Sequence, residues 1–363
     1  MSTVAFVVNG GYESAMGFRA RDLATRLTQY DIRIAYRSSR KILSMLRIFS
    51  FLCYLRPRAM YVLDISYTGI LSAGFYRLLS RNYLIVETGD AIVELARSTG
   101  SRRKFGLWLT GLLEKAALWL ADRVVVRGSF HQEWLAREGL PCEVIQDGVD
   151  PSKFVPRDAG DLRKELGLNG ELTIGLIGSA VWSEKLQMCY GWELVETIRL
   201  LRDSHVKGIM IGTGSGIARL KARCRAEGIE DRILFLDHVP YDELSRYLCL
   251  IDVCLSTQTN DLAGQVRTTG KLPLYLATGR YVLASNVGEA ARVLDPEMLV
   301  PYEGVKDEQY PRKLATRIQA ILENPGKLER GAGNVLLAKK YFDYSLLADR
   351  AAAVIQRGID GRR

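Results

Sequence analysis

The chain has 363 residues, of which 48% are hydrophobic and 25% are charged, and its formal net charge is +9. This length exceeds the span of a single core, so two domains are expected, and the composition excludes an intrinsically disordered chain. The sequence contains no signal-peptide pattern and no run of eighteen apolar residues, which predicts a cytoplasmic protein that does not cross a bilayer.

Cysteine and histidine spacing gives no sign of a metal site. The six cysteines form no CxxC pair and the three histidines are isolated. Neither a zinc site nor a disulfide framework is therefore expected, and no metal or cofactor is predicted. Residues 1–160 hold 22 Lys and Arg against 15 Asp and Glu, whereas residues 161–363 hold 28 against 26. A basic first half suits nucleic acid, anionic lipid or a phosphorylated substrate.

Strand-like and helix-like segments alternate along the first half. Apolar runs such as VAFVV, AMYVLDI and YLIVET are separated by segments of helical period such as ESAMGFRARDLATRL and RRKFGLWLTGLLEKAALWLADR. This alternation predicts a parallel sheet with helical crossovers. The same pattern begins again at LTIGLIG and continues through VKGIMIG, RILFLD, DVCLS and YVLAS.

The fold class is therefore α/β, with two domains of similar kind. We expect a first domain at 1–160, a second at 161–340, and a final helix at 341–363 that packs either across the first domain or on the second. The join falls in the segment DGVDPSKFVPRDAGDLRKELGLNGE, where Gly, Pro and Asp cluster. Ligands of such sheets bind outside the carboxyl ends of the strands, so a cleft between the domains is the expected site.

Glycine turns follow the first strand of each predicted domain. Gly10 and Gly11 stand between a strand and a helix, where backbone N–H groups can meet a phosphate or a sugar. A tight turn without a ligand explains them equally well, and no complete GxGxxG motif is present. Gly178 ends a strand of the second half, and Lys185 follows in a loop where it either reaches a phosphate or is merely solvated.

The segment RTTGKLPLYLATGRYVLAS carries the strongest signal for an anion. Arg267 and Lys271 lie four residues apart at the start of a predicted buried helix. Cations at a helix N-terminus oppose the macrodipole, which favours a phosphate ligand over the alternative of two exposed surface cations.

Other polar residues follow strand ends. Asp90 comes after YLIVET, where it either faces the cleft or caps the next helix. His131 follows another strand end, but a lone histidine is more often structural than catalytic. Two basic amphipathic stretches, RSSRKILSMLRIFSFLCYLRPR and SRRKFGLWLTGLLEKAALWL, suit either an anionic membrane surface or ordinary packing on a sheet.

Several segments together resemble the GT-B retaining glycosyltransferases of family four. They are the interdomain segment CEVIQDGVDPSKFVP, the phosphate-loop segment LTIGLIGSAVWSEKL, and the units that run from IGTGSG to CLS and from YLATG to RVL. The resemblance covers residues 120 to 350 well. It implies two Rossmann-like domains with parallel sheets facing a cleft, an acceptor-binding first domain and a donor-binding second domain.

The resemblance also implies functional residues. Lys185 matches the family's diphosphate-binding lysine, Gly10 and Gly11 match its first glycine loop, and Asp90 lies where the family often has a residue near the transferred sugar. Lys271 resembles a lysine of some branches. Asp90, Lys185 and Lys271 are therefore the expected catalytic residues. The expected donor-binding residues are Gly10, Gly11, Gly178, Ser179, Lys185, Arg267, Lys271, Leu274 and Glu289.

The sequence departs from the family pattern at three of these positions. The usual phosphate-loop Arg is Ser179 here, and the family's glutamate pair falls on Arg267 and Leu274. The expected activity is transfer of a sugar from a nucleotide-diphosphate donor to a glycan or lipid-linked acceptor, with retention of configuration, at a cytoplasmic membrane surface and in polysaccharide biosynthesis. The alternatives are a catalytically idle binding protein and, on the Gly-rich turns alone, a nicotinamide-dependent oxidoreductase. Nucleic acid is not an expected partner, because no recognised module is present.

Overall fold

The computed structural model describes residues 1–168 and 170–361. Its first sheet has six parallel strands in the order β2-β1-β3-β4-β5-β6. The strands are β1 (Ser2–Val8), β2 (Tyr30–Tyr36), β3 (Ala59–Leu63), β4 (Tyr83–Thr88), β5 (Arg123–Val126) and β6 (Cys142–Val144). The helices between them are α1 (Ala15–Ala24), α2 (Lys41–Leu55), α3 (Tyr67–Ser80), α4 (Ile92–Thr99), α5 (Lys104–Leu120) and α6 (Ser129–Arg137).

The second sheet also has six parallel strands, in the order β12-β11-β10-β7-β8-β9. The strands are β7 (Leu172–Ile177), β8 (Val206–Ile211), β9 (Ile233–Leu236), β10 (Val253–Ser256), β11 (Tyr281–Ser285) and β12 (Leu299–Val300). The helices are α7 (Gly160–Glu165), α8 (Trp192–Leu200), α9 (Ile217–Glu227), α10 (Tyr241–Leu248), α11 (Leu262–Val266), α12 (Lys271–Ala277), α13 (Gly288–Val293), α14 (Tyr310–Glu323), α15 (Asn334–Phe342) and α16 (Tyr344–Asp360). Short 3₁₀ turns occupy Glu230–Arg232, Pro296–Met298 and Pro325–Gly333.

Burial on both faces explains why the strands are nearly continuous apolar runs. Every residue of β3 and of β4 is buried. One face of the first sheet packs against α1 and α16, and the other packs against α2, α3 and α5. Sheets covered by helices on both sides are the usual home of parallel strands. The predicted α/β class and the predicted two-sheet arrangement are confirmed.

The last helix returns to the first domain. Val149, in the segment between the sheets, pairs with the chain just before α16: its N–H donates to Phe342 O and its carbonyl accepts from Tyr344 N–H. Leu347 and Ile355 of α16 then lie in the same apolar cluster as β1 and β3. The sequence left two positions open for this helix, and in the structure it packs against the first sheet.

The strand orders locate the site. In the first sheet the order reverses beside β1, and in the second sheet it reverses beside β7. Such reversals open a crevice at the carboxyl ends of the strands. The loops that begin at Asn9 and Gly178 leave these two points, so both crevices belong to the region between the domains.

Candidate active site

The contacts that join the two domains at the carboxyl ends of the strands include an ion pair and two hydrogen bonds. Arg267 Nε lies 3.2 Å from Asp90 Oδ1, and Thr268 Oγ1 donates to Asp147 Oδ2 at 2.7 Å. The carboxylate of Glu289 accepts the backbone N–H of Ser129 at the start of α6. These contacts hold the predicted cleft in a closed arrangement.

Asp90 faces the second domain and does not cap a helix. The first two N–H groups of α4, on Ile92 and Val93, donate to the carboxylate of Glu114. Because Glu114 satisfies those donors, the Asp90 carboxylate is left to pair with Arg267. The sequence left open whether Asp90 faces the cleft or caps the next helix, and in the structure its carboxylate faces the cleft.

Arg267 and Lys271 are close, but one helix does not carry both. Arg267 ends α11 and Lys271 begins α12, with a turn at 268–270 between them. The expectation that both cations stand at one helix N-terminus is thus corrected. The turn nevertheless brings the two charges near enough that Arg267 lowers the pKa of Lys271.

Lys271 occupies a pocket that favours its neutral form. Its Nζ lies 3.6 Å from the centroid of the Tyr190 ring. Burial lowers the Lys271 pKa to about 7, and the neighbouring Glu193 carboxylate opposes this change. Burial in turn raises the pKa of Glu193, which accepts the Gly191 N–H at 3.0 Å. A second anion beside Lys271 would stabilise the protonated amine.

Lys185 lies apart from these two cations. Its Nζ donates to Arg97 O at 2.8 Å, at the C-terminal end of α4, whereas Asp90 and Arg267 meet before the N-terminus of α4. Eight helical residues span about 12 Å. The expected convergence of three cations is therefore corrected to a pair, Arg267 and Lys271, with Lys185 on the edge of the domain interface.

Contacts with neighbouring side chains account for part of the structure of the two glycine turns. Ser14 caps α1 by accepting the Gly17 N–H at 3.1 Å, so the helix N-terminus behind Gly10 and Gly11 is already partly satisfied. Gly178 has φ +152°, and a Cβ there would meet the Tyr190 ring at 2.9 Å. Ser179 follows in the same loop and is exposed.

Two residues carried over from the resemblance do not face open space. Leu274 is buried in the apolar core of the second domain. Glu289 is also buried, and its carboxylate caps α6 of the first domain. In this closed arrangement Leu274 packs in the core and Glu289 joins the domains, and the donor-binding role expected of both residues stays a prediction.

Arg127 is a buried cation that sequence reasoning missed. It lies 3.4 Å from Asp64 and 3.3 Å from Asp147. Although burial opposes its charge, those carboxylates raise its pKa. A Cβ on Gly89 would overlap the Arg127 guanidinium, so the glycine makes room for it. The glycine between Thr88 and Asp90 is the one local feature of the sequence that could have indicated this arrangement.

One cavity between the domains is very small. Arg127, Asp147, Thr268 and Glu289 help to line a cavity of about 10 Å³, which is the size of one water molecule. A nucleotide sugar needs several hundred Å³. The domains must therefore separate before any such ligand enters this place.

His131 is buried beside Trp134, and burial lowers its pKa to about 4, so the ring is neutral at pH 7. Within residues 1–168 and 170–361 no group of three or more His, Cys, Asp or Glu side chains is placed to hold a metal ion. The same residues include no helix long and apolar enough to span a bilayer.

The second domain is similar in sequence to a known family. Residues 172–324 match Glycosyl transferases group 1. Over 211 residues the chain is 26% identical to a 2-deoxystreptamine glucosyltransferase of Streptomyces kanamyceticus. That match covers 55% of this chain and 50% of the relative, so the chain matches about half the length of this curated protein.

Structural comparison extends the likeness to the whole chain. A sucrose-phosphate synthase from Thermosynechococcus elongatus superposes with a TM-score of 0.77 at 15% identity, covering 98% of this chain and 99% of that one. HepE from Anabaena, solved with UDP and glucose, superposes with a TM-score of 0.73 at 16% identity, covering 98% and 100%. The chain therefore has the GT-B glycosyltransferase fold, and its residues 172–324 are similar to the glycosyl transferases group 1 family.

Proposed function

We propose that this protein transfers a sugar from a nucleotide-diphosphate donor to a glycan or lipid-linked acceptor with retention of configuration. The observation that carries the proposal is the pair of cations, Arg267 and Lys271, at the domain interface opposite Asp90. HepE has been solved with UDP-glucose, and the curated relative is named as a glucosyltransferase, so a UDP-hexose is the donor to test first.

The two cations suit a leaving diphosphate. Cleavage of the bond from the anomeric carbon to the diphosphate oxygen leaves extra negative charge on the nucleotide. Fixed positive groups in a closed, water-poor cleft stabilise that charge more strongly than water does. In the proposal Arg267 and Lys271 supply this stabilisation, and neither a metal ion nor another cofactor is required.

Asp90 has a second role in the proposal. Once Arg267 turns from Asp90 to the diphosphate, the carboxylate is left on the sugar side of the cleft, where it can accept hydrogen bonds from sugar hydroxyls. In a retaining transfer the acceptor attacks from the face that the diphosphate leaves. The departing diphosphate oxygen is then the nearest base for the proton of the acceptor hydroxyl.

Nucleotide recognition differs from that implied by the family pattern. Leu274 is buried and apolar, so it accepts no hydrogen bond from a ribose. The proposal places ribose and base contacts on backbone groups of the loops after β7 and β8. Gly178 N–H already donates to Ile211 O and Ala180 N–H to Thr213 O, which fixes those two loops side by side.

A thermal-shift screen of nucleotide sugars tests the proposal. A ligand at 100 times its dissociation constant stabilises the folded chain by about 2.7 kcal/mol. We expect a UDP-hexose to raise the melting temperature of the wild-type protein and to have little effect on a Lys271→Met variant. Sugar release or transfer should then be measured with the same donor. No shift with any nucleotide sugar would refute donor binding.

A second function is favoured by one specific feature. The position of one family glutamate is Arg267 and that of the other is the buried Leu274. A catalytically idle protein that retains the fold and binds a partner fits these changes. Donor binding without hydrolysis or transfer to any offered acceptor would favour this second function.

A further inference from the structure

One layer of helices carries most of the exposed apolar side chains. Of the 18 large hydrophobic residues that are exposed in the described part of the chain, 13 lie on α2, α3 and α5. They are Ile42, Leu43, Leu46 and Tyr54 on α2, Leu71, Phe75, Leu78 and Leu79 on α3, and Phe105, Trp108, Leu109, Leu112 and Trp119 on α5. We name this surface the α2–α3–α5 face.

Packing on the sheet does not use these side chains. The inner sides of the three helices already meet the first sheet through residues such as Leu52, Ile70 and Ala117. Trp119 is 81% exposed and Tyr54 is 90% exposed. Single exposed apolar residues are ordinary, but a concentration of aromatic and aliphatic side chains on one face marks an interaction site.

The charge on this face has one sign. Helices α2 and α3 contain no acidic residue, and the one in α5, Glu114, is turned inward to cap α4. Five cations lie at one end of the helices (Arg40, Lys41, Arg102, Arg103 and Lys104) and three lie at the other (Arg56, Arg58 and Arg81), while Arg47 of α2 and Lys115 of α5 are exposed between the ends. Within the described residues, none of these ten cations has a carboxylate partner within 4.0 Å.

The positions of the cations at the cleft end are unfavourable without an anion. Arg40 and Lys41 begin α2, and Arg103 and Lys104 begin α5, although a helix N-terminus repels positive charge. Neither N-cap residue makes a side-chain hydrogen bond to its helix. Lipid phosphates at these ends would satisfy the free N–H groups and offset the repulsion.

The opposite end of the face carries a basic hollow. Arg56, Arg58 and Arg81 line a cavity of about 610 Å³ together with Leu79 and Cys53. Arg56 and Arg81 end α2 and α3 in the left-handed conformation, with φ +48° and +55°. The hollow has the size and charge to accept a phospholipid headgroup.

We propose that the α2–α3–α5 face docks on a membrane surface that contains anionic phospholipid. The apolar side chains enter the boundary between headgroups and acyl chains, and the cations at both ends bind lipid phosphates. A second copy of this chain is a poorer occupant, because a self-complementary contact would set unpaired cations against one another. The docking does not depend on sugar transfer; combined with the proposed function, it favours a lipid-linked acceptor.

Vesicle co-flotation of the full chain tests the proposal. The vesicles contain phosphatidylcholine alone or with 30% phosphatidylglycerol. The variants are Phe105→Ser/Trp108→Ser, which removes two apolar anchors, and Arg103→Gln/Lys104→Gln, which removes two cations. The matched controls are Leu336→Ser, which removes an apolar residue 70% exposed on α15, and Arg202→Gln, an exposed position in the second domain.

The wild-type chain and both controls are expected to float with the anionic vesicles. The apolar variant should partition at least about tenfold less, and the charge variant about 30-fold less, since each Lys or Arg near an anionic surface contributes about fivefold. Binding should also weaken as salt is raised.

The proposal would be overturned if the wild-type chain did not float with anionic vesicles, or if both variants floated as well as the wild type. It would also be overturned if light scattering showed that the wild-type chain is a dimer and the apolar variant is a monomer. Thermal melts check that the variants are folded. A donor-induced thermal shift that persists in the apolar variant separates failure of membrane docking from failure of the proposed sugar transfer.

Discussion

Replacing Lys271 by Met is the sharpest test of the candidate site. Met keeps a long apolar side chain against the Tyr190 ring but removes the amine that lies 3.6 Å from its centroid. The change leaves Glu193 buried without its positive neighbour. A second variant, Lys271→Met/Glu193→Gln, therefore separates loss of a ligand contact from loss of stability.

The expected size of the effect follows from the charges. A phosphate oxygen about 4 Å from the amine attracts it by about 4 kcal/mol at an effective dielectric constant of about 20. Desolvation and the partial protonation of Lys271 near neutral pH offset part of this attraction. We expect Lys271→Met to weaken binding of a nucleotide sugar by about 2 kcal/mol at pH 6.5, which is about 30-fold.

The pH dependence has a definite sign. The Lys271 pKa is lowered to about 7, and an anion binds the protonated amine more tightly. Wild-type affinity should be constant below about pH 6 and should fall as the pH rises through 7 towards 9, since free Lys271 loses its proton there. The diphosphate of a nucleotide sugar does not titrate in this range, so Lys271→Met should show a flat profile.

Isothermal titration calorimetry at several pH values measures both effects. Lys185→Met is the matched control, because Lys185 is exposed and donates to Arg97 O at the edge of the interface. Its affinity should stay within about twofold of the wild type. Equal affinity of Lys271→Met and wild type at pH 6.5, or a wild-type affinity that does not change between pH 6 and 9, would refute the reasoning.

The buried charges and the closed interface give three more measurable outcomes. Arg19→Met should lower the free energy of unfolding by about 3–5 kcal/mol in urea titrations, because it leaves Glu87 buried and unpaired, whereas Arg33→Met at an exposed pair should cost under about 1 kcal/mol. Gly89→Ala should cost about 1–3 kcal/mol by displacing Arg127, while Gly11→Ala, with nothing within 4 Å of its added Cβ, should be nearly neutral. Thr268→Val removes the hydrogen bond to Asp147 and should enlarge the radius of gyration in small-angle X-ray scattering; an unchanged radius would show that this contact does not hold the domains together.

The two sheets were predictable because the signal is local. Strands buried on both faces, such as β3 and β4, are continuous apolar runs, and the long helices between them repeat at the helical period. The short helix α11 has only five residues. A segment that short holds too few turns for an apolar stripe to stand out, so the sequence did not reveal it.

The sequence predicted those site residues whose position follows from the order of strands and helices. Asp90 follows β4 of the first sheet, and Arg267 and Lys271 follow β10 of the second, so each lies on the side of its own parallel sheet where ligands bind. Tyr190, Glu193 and Arg127 act through contacts between segments that are distant in sequence. Nothing in their local sequence distinguishes them from core residues. Lys185 stands in a loop whose path only the folded chain defines, which is why its expected position beside Arg267 and Lys271 needed correction.

The ion pairs of the empty cleft determine which cation an incoming diphosphate would bind. Arg127 is held by Asp64 and Asp147, and its side chain is only 7% exposed. Arg267 is 49% exposed and has one carboxylate, Asp90, at 3.2 Å. An exposed pair of this kind contributes at most about 1 kcal/mol, whereas separating a buried pair costs several. An incoming diphosphate should therefore displace Asp90 from Arg267 and leave the Arg127 cluster intact. This exchange frees the Asp90 carboxylate where the sugar would lie, so the same ion pair that closes the empty cleft prepares both a cation for the leaving group and an acceptor for the sugar.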